Sequence, residues 1–240
     1  MKRKSVFRRL YMGRLVIRII VFITILSLYL IYPDDFIVVK GFNMFKMISP
    51  LHILWLIWIT EMLLQLSKVP KYWPLGSQKV FGHRFLPDMK GIDATLAKRL
   101  MKQMSSDAVS IAIAWILLTA IIDILYFTGC ITYQVVILIS CAFYVCDIIC
   151  IVGWCPFKTF FMHNKCCTTC RIFNWDHAMM FLPLICIPGV WTYSLVILSL
   201  IILVVWEVAC AIHPERFHEK TNCALRCINC KDRLCGKKTI

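Results

Sequence analysis

Several uninterrupted apolar stretches, each long enough to cross a lipid bilayer, constrain this chain more than any other feature. A helix needs about 20 mainly apolar residues to cross a hydrocarbon core of roughly 30 Å, and such windows recur from residue 15 onward. The stretches are continuous rather than alternating with a period of two, which excludes a closed β-barrel. With 60% apolar residues, the chain has more apolar surface than a water-soluble core of this size requires. The sequence therefore predicts an all-α integral membrane protein whose first partner is the lipid bilayer.

Spans are expected over residues 15–32, 46–66, 107–128 and 132–154. Residues 1–18 carry seven basic and no acidic side chains ahead of the apolar run 19–32. No small-x-small cleavage site comes after it, so the expectation is an uncleaved span rather than a removed signal peptide. In 67–106 there are eight basic residues, and Pro70, Pro74, Gly76, Gly82 and Pro87 predict irregular structure up to Asp88. The period-four spacing of Ile92, Leu96, Leu100 and Met104 predicts an amphipathic helix on the membrane surface ahead of the third span.

Residues 178–212 decide the topology. Their 35 positions are too many for one ordinary span and few for two, and Pro183, Pro188 and Gly189 interrupt them. Read as a hairpin, with a short or re-entrant fifth segment over 175–187 and a full span over 191–212, they place 25 of the 27 Lys and Arg on one side. The positive-inside rule favours that arrangement. The expected architecture is about six membrane segments with cytoplasmic cysteine-rich loops and both termini cytoplasmic, in a prokaryotic-type inner membrane. Its divisions are 1–66, a basic terminus and first hairpin; 67–106, a basic loop; 107–154, a second hairpin; 155–177, a cysteine-rich loop; 178–212, a third hairpin; and 213–240, a cysteine-rich tail. The net charge of +14 sits in blocks between the apolar stretches, which is the pattern of topological determinants beside anionic lipid, not of nucleic-acid binding.

Fourteen cysteines fall into two sorts. Cys130, Cys141, Cys186 and Cys210 stand alone in or beside apolar stretches, as small hydrophobes do. The others cluster: Cys146 and Cys150 at the end of the fourth span, Cys155, Cys166, Cys167 and Cys170 in the polar segment after it, and Cys223, Cys227, Cys230 and Cys235 in the tail. Two thiolates separated by two residues can turn back on one centre, so Cys167-x2-Cys170 and Cys227-x2-Cys230 each read as half of a metal or cluster site. A cytoplasmic location argues against disulfides. The donors suit either zinc, which would staple the two loops, or iron–sulfur, which would carry electrons.

Cys150-x4-Cys155-Pro156-Phe157, with Gly153-Trp154 before it at the end of a span, resembles the Cys-Pro-Phe elements of membrane-bound polyferredoxin and quinol-dehydrogenase subunits. The likeness covers about a dozen residues, with four residues between the cysteines where the family's element has three. It implies ligand roles for Cys150 and Cys155, with Cys146 one turn earlier on the same face, and electron exchange between quinol and partner proteins.

Among other polar groups, Asp147 is the candidate proton relay beside Cys146 and Cys150. Glu61 and Glu207 are expected to be solvated or lysine-paired near span ends, and Asp123 lies toward the outer end of the third span. His52 and His177 are candidate haem or quinone-site residues, and His163 and His213 candidate zinc ligands. Trp154, Trp175, Trp191 and Trp206 read as interfacial belt residues. No catalytic-triad ordering, phosphate-binding glycine loop, His-Glu-x-x-His or dinucleotide fingerprint occurs. The leading expectation is thus a membrane redox protein with cysteine-ligated iron–sulfur centres, exchanging electrons with a cytoplasmic protein partner and a quinone. The alternatives are a zinc-stabilised partner-binding scaffold and, third, a heavy-metal transporter.

Overall fold

The computed structural model describes residues 6–67, 75–82, 85–87, 94–162, 164 and 166–229. Among these residues the regular structure is helical, with no β-strand. The α-helices are α1 (Val6–Ile31), α2 (Leu51–Leu66), α3 (Leu75–Gln78), α4 (Ala94–Phe127), α5 (Tyr133–Val152), α6 (Asp176–Phe181) and α7 (Val190–Ile212). Four of them, α1, α4, α5 and α7, are long and apolar enough to cross a membrane. Shorter apolar helices cover Leu51–Leu66 and Asp176–Cys186, the latter being α6 continued by a 3-10 turn. Isoleucines and leucines such as Ile20, Ile23, Ile116, Leu117, Ile197 and Ile201 stand exposed on the outer faces. Side chains of that kind belong against lipid, and the chain is a membrane protein.

The amphipathic stretch before the third span is not a separate surface helix. Ala94 to Phe127 run as one helix of 34 residues, uninterrupted by Pro or Gly. At about 1.5 Å per residue it is roughly 50 Å long, well beyond a hydrocarbon core of roughly 30 Å, so one end projects from the bilayer. Met101 and Met104 in its first turns pack against Trp206 and Cys170 respectively instead of lying on lipid.

Trp58 is the centre of the bundle. Its ring meets those of Tyr144, Phe181 and Trp191 edge-on at 5.9, 4.9 and 5.8 Å between centroids, which joins α2, α5, α6 and α7. Trp191 and Trp206 are not belt residues: both are fully buried, and each indole donates to a backbone carbonyl, that of Leu51 at 3.2 Å and that of Arg171 at 2.8 Å. A large ring with one bonded N–H fills a core position without an unsatisfied donor. Trp154 does remain exposed.

The proline and glycine that interrupt 178–212 serve a close backbone contact. Gly41, at φ +59°, donates its N–H to the Pro188 carbonyl at 2.8 Å, and Val190 N–H reaches the Gly41 carbonyl at 3.0 Å. A Cβ on Gly189 would stand 2.0 Å from the Val39 carbonyl oxygen, so no other residue fits there. The start of α7 is thereby pinned to the loop between α1 and α2. Its far end is held by Arg171, whose guanidinium grips both oxygens of Glu207.

Candidate thiol site

Helix geometry places Cys146 and Cys150, four residues apart, on one face of the last turns of α5. The helix ends at Val152, and Pro156 leads into a wide turn in which Met162 N–H bonds the Phe157 carbonyl at 2.9 Å. This turn brings Cys155 back beside Cys150. Residues 166–170 then fold into a 3-10 turn fastened by Thr169 Oγ1 on the Cys166 carbonyl at 2.7 Å and Cys170 N–H on the Cys167 carbonyl at 2.9 Å. Cys146, Cys150, Cys155, Cys167 and Cys170 consequently line one cavity of about 120 Å³, with Asp147 and Asp176 in the same wall.

Cys155 is the electrostatic centre of this group and only 9% exposed. Its sulfur accepts the Lys158 backbone N–H at 3.5 Å and lies beside the Cys150 and Cys167 thiols, the latter of which donates to the Cys150 carbonyl at 3.2 Å. Donors aimed at sulfur favour the thiolate, and the Cys155 thiol is held far below its usual range, at about 3. Cys167, half-buried and next to the Cys155 sulfur, is pushed well above its usual range. Burial likewise raises Cys170, against the pull of an N–H from Ile172 and of the Lys79 ammonium. Of the three, Cys155 is the one whose surroundings favour the thiolate, the form that attacks electrophiles and binds soft metals.

Lys79 supports the loop from beneath. It is 2% exposed; its ammonium donates to the Cys170 carbonyl at 3.1 Å and lies 5.2 and 5.3 Å from the ring centres of Trp206 and Phe217. Burial of the charge wins over these contacts and lowers Lys79 to about 8. The unfolded chain therefore keeps a proton, between about pH 8 and 10.5, that the native protein has lost, so this group adds stability as pH rises through that window. Wild type is expected to gain about 2–3 kcal/mol relative to Lys79→Met between pH 7.5 and 10. Chemical denaturation in detergent at the two pH values measures it, and parallel behaviour of the two proteins would contradict it.

The other expected ligands are distributed unevenly. Cys166 is buried in the turn beside the cavity. Cys223 packs against the short segment at 85–87, its N–H on the Leu86 carbonyl at 2.8 Å while Leu86 N–H reaches Asn222 Oδ1 at 3.2 Å. Cys227 is exposed, and neither tail cysteine lines the cavity. Cys230, Cys235 and His163 lie outside the described residues. Among the described residues no group of three or more His, Cys, Asp or Glu side chains converges on a single-ion position. Cys141 and Cys210 are buried packing residues, while Cys130 is exposed. The His52 ring is engaged by the Ser49 and Met44 carbonyls at 2.9 and 2.8 Å, and His213 lies 3.3 Å from Glu215.

Next to the cavity is a second polar group that no local signal announces. Arg18 of α1 is 6% exposed and reaches Asp147 at 2.7 Å, the Tyr144 carbonyl at 2.7 Å and Glu61 at 3.1 Å, with its guanidinium carbon 3.9 Å from the Tyr144 ring centre. Tyr144 Oη closes the ring by donating to Glu61 at 3.0 Å. Glu61 and Glu207 are therefore not lysine-paired: each is bound by an arginine, with the Glu207 side chain still 39% exposed. The sequence-level reading of Arg18 as one more topological charge missed this role.

The fold and site together define a helical membrane protein with a thiol-lined cavity at one end of its bundle. The chain matches no family model, and no curated protein or solved structure matches it.

Proposed function

We propose that this is a membrane redox protein whose electron-carrying centre is an iron–sulfur cluster held by Cys150, Cys155, Cys167 and Cys170. The observation that carries the reading is the gathering of these four cysteines, from a helix end and the loop after it, on one cavity wall. The donor set is all sulfur, which suits a cluster. The thiols ring a space rather than meeting at a point, and that favours a group several atoms wide over a single zinc ion. When bound, such a cluster would supply one-electron transfer. The chain's own part is to fix the ligands: α5 sets Cys150, Lys158 N–H steadies Cys155, and the Lys79 contact holds Cys170 in place.

A quinone is the proposed membrane-side electron partner, and a soluble protein on the cytoplasmic face the other. Supporting the first, a second apolar cavity of about 170 Å³ shares Trp115 and Met179 with the thiol cavity and continues between α4 and α7. We also place the chain in the cell inner membrane with six crossings and both termini cytoplasmic. The contact of Pro188 and Gly189 with Gly41, at the opposite end of α7 from Glu207 and Arg171, supports a crossing by 176–187.

Elemental analysis and a visible spectrum of protein purified in detergent without oxygen test the function. Iron with acid-labile sulfide and a brown colour are expected. Stoichiometric zinc without colour would replace this reading with the scaffold, and metal-free, colourless protein would remove both.

A further inference from the structure

Around Tyr144 and Phe181, five buried polar atoms have no hydrogen-bond partner among the described residues: Arg18 Nε, Trp58 Nε1, Asp176 Oδ1, and both ring nitrogens of His177. They belong to one neighbourhood. The guanidinium of Arg18 covers the Tyr144 ring, Tyr144 packs on Trp58, Trp58 on Phe181, and Phe181 lies 6.2 Å from the His177 ring. His177 is 5% exposed, and its Nδ1 stands 3.3 Å from Asp176 Oδ2 without the alignment of a hydrogen bond. Buried polar atoms without partners are rare and costly, and several in one place mark a position built for something besides packing.

Charge points the same way. Arg18 from α1 faces Glu61 from α2 and Asp147 from α5, with Tyr144 between them, and Asp176 adds a third carboxylate next to His177. On α7, Glu207 is taken up by Arg171 and Trp175. Three carboxylates against one guanidinium leave a formal −2 while the imidazole is neutral and −1 once it is protonated. Unpaired negative charge inside a bundle is unfavourable, so a proton is the smallest ligand that relieves it, and an imidazole is the group suited to bind and release one near neutral pH.

We propose that His177 and Asp176 form a buried proton-binding site inside the membrane bundle. The proton resides on the His177 ring, exchanges with the Asp176 carboxylate beside it, and reaches the cavity through Asp176 and Asp147, both of which stand in the cavity wall. The assignment rests on the orphaned nitrogens and the charge imbalance, and holds whatever the thiols carry.

The test is carbon-13 NMR of the full chain in detergent micelles, with histidine labelled at Cε1, recorded between about pH 5 and 9, the range in which imidazoles change charge. The His177 resonance is identified by its absence in His177→Gln or, should that variant not fold, by elimination after replacing the other five histidines one at a time. His177 is expected to titrate in the window, with a midpoint that falls by about one pH unit or more in Asp176→Asn, because the neighbouring negative charge is gone. A His177 signal fixed across the whole range would overturn the proposal. So would a midpoint indifferent to Asp176→Asn. Neither result bears on the iron and sulfide content of the thiol site, so the two readings fail separately.

Discussion

Replacing Arg18 by methionine is expected to destabilise the protein by about 3–5 kcal/mol, the range found when one partner of a buried ion pair is removed. The side chain is almost fully enclosed and binds two carboxylates and a backbone carbonyl at once. Methionine keeps much of the volume but strands Glu61 and Asp147 in a wall with little access to water. The cost comes from those stranded charges rather than from the lost contacts, and this makes a second expectation possible. The triple variant Arg18→Met, Glu61→Gln, Asp147→Asn should recover most of the stability, since replacing all charged members of a buried group is often near neutral. Unfolding by denaturant in a fixed detergent, followed by tryptophan fluorescence, compares the three proteins. A loss under about 1 kcal/mol for Arg18→Met would mean that the carboxylates reach water, as exposed pairs do, and a triple variant no better than the single would mean that shape and not charge is at stake.

Such a network explains which parts of this fold a sequence reveals. Apolar stretches and their breaks are local, so the helices were legible, down to the interruption at Pro188 and Gly189. The tight pairing that makes Gly189 necessary depends on Gly41, far away in the chain, and could not be read there. Spacing singled out Cys167 and Cys170, and the Cys-Pro-Phe likeness Cys150 and Cys155; that these four share one cavity wall follows from the turn after α5. Arg18 was not legible. It lies 43 residues from Glu61 and 129 from Asp147, and in a basic N-terminal segment its charge looks like its neighbours'. Lys79 was hidden in the same way among the eight basic residues of 67–106. Trp191 and Trp206 misled for a related reason: a tryptophan near a segment end suits an interface, and only the packing partner decides whether it faces lipid or core. For the tail the spacing was informative about donor type but silent on position, and Cys223 is held by the 85–87 segment instead of the cavity.

The second large effect belongs to Cys155. Cys155→Ser is expected to lower the metal or cluster content of anaerobically purified protein roughly 100-fold, the upper end of what even ligand-supporting residues cost when removed. Serine retains a hydroxyl of similar reach, but it does not ionise in the working range, and so the thiolate ligand is lost. With the Cys155 thiol held well below its usual range by its neighbours, its share of binding should fall less toward pH 5 than that of an ordinary thiol of pKa about 8.5, which loses affinity on the acid side. Iron, sulfide and zinc per chain, measured for wild type, Cys155→Ser and Cys130→Ser, separate a ligand from a bystander, since Cys130 is an exposed cysteine in the α4–α5 turn. Cys227→Ser adds the remaining contrast: an exposed tail thiol away from the cavity should leave the content unaltered. If Cys155→Ser keeps its full complement while Cys227→Ser loses it, the centre is built by the tail, and the cavity thiols are packing.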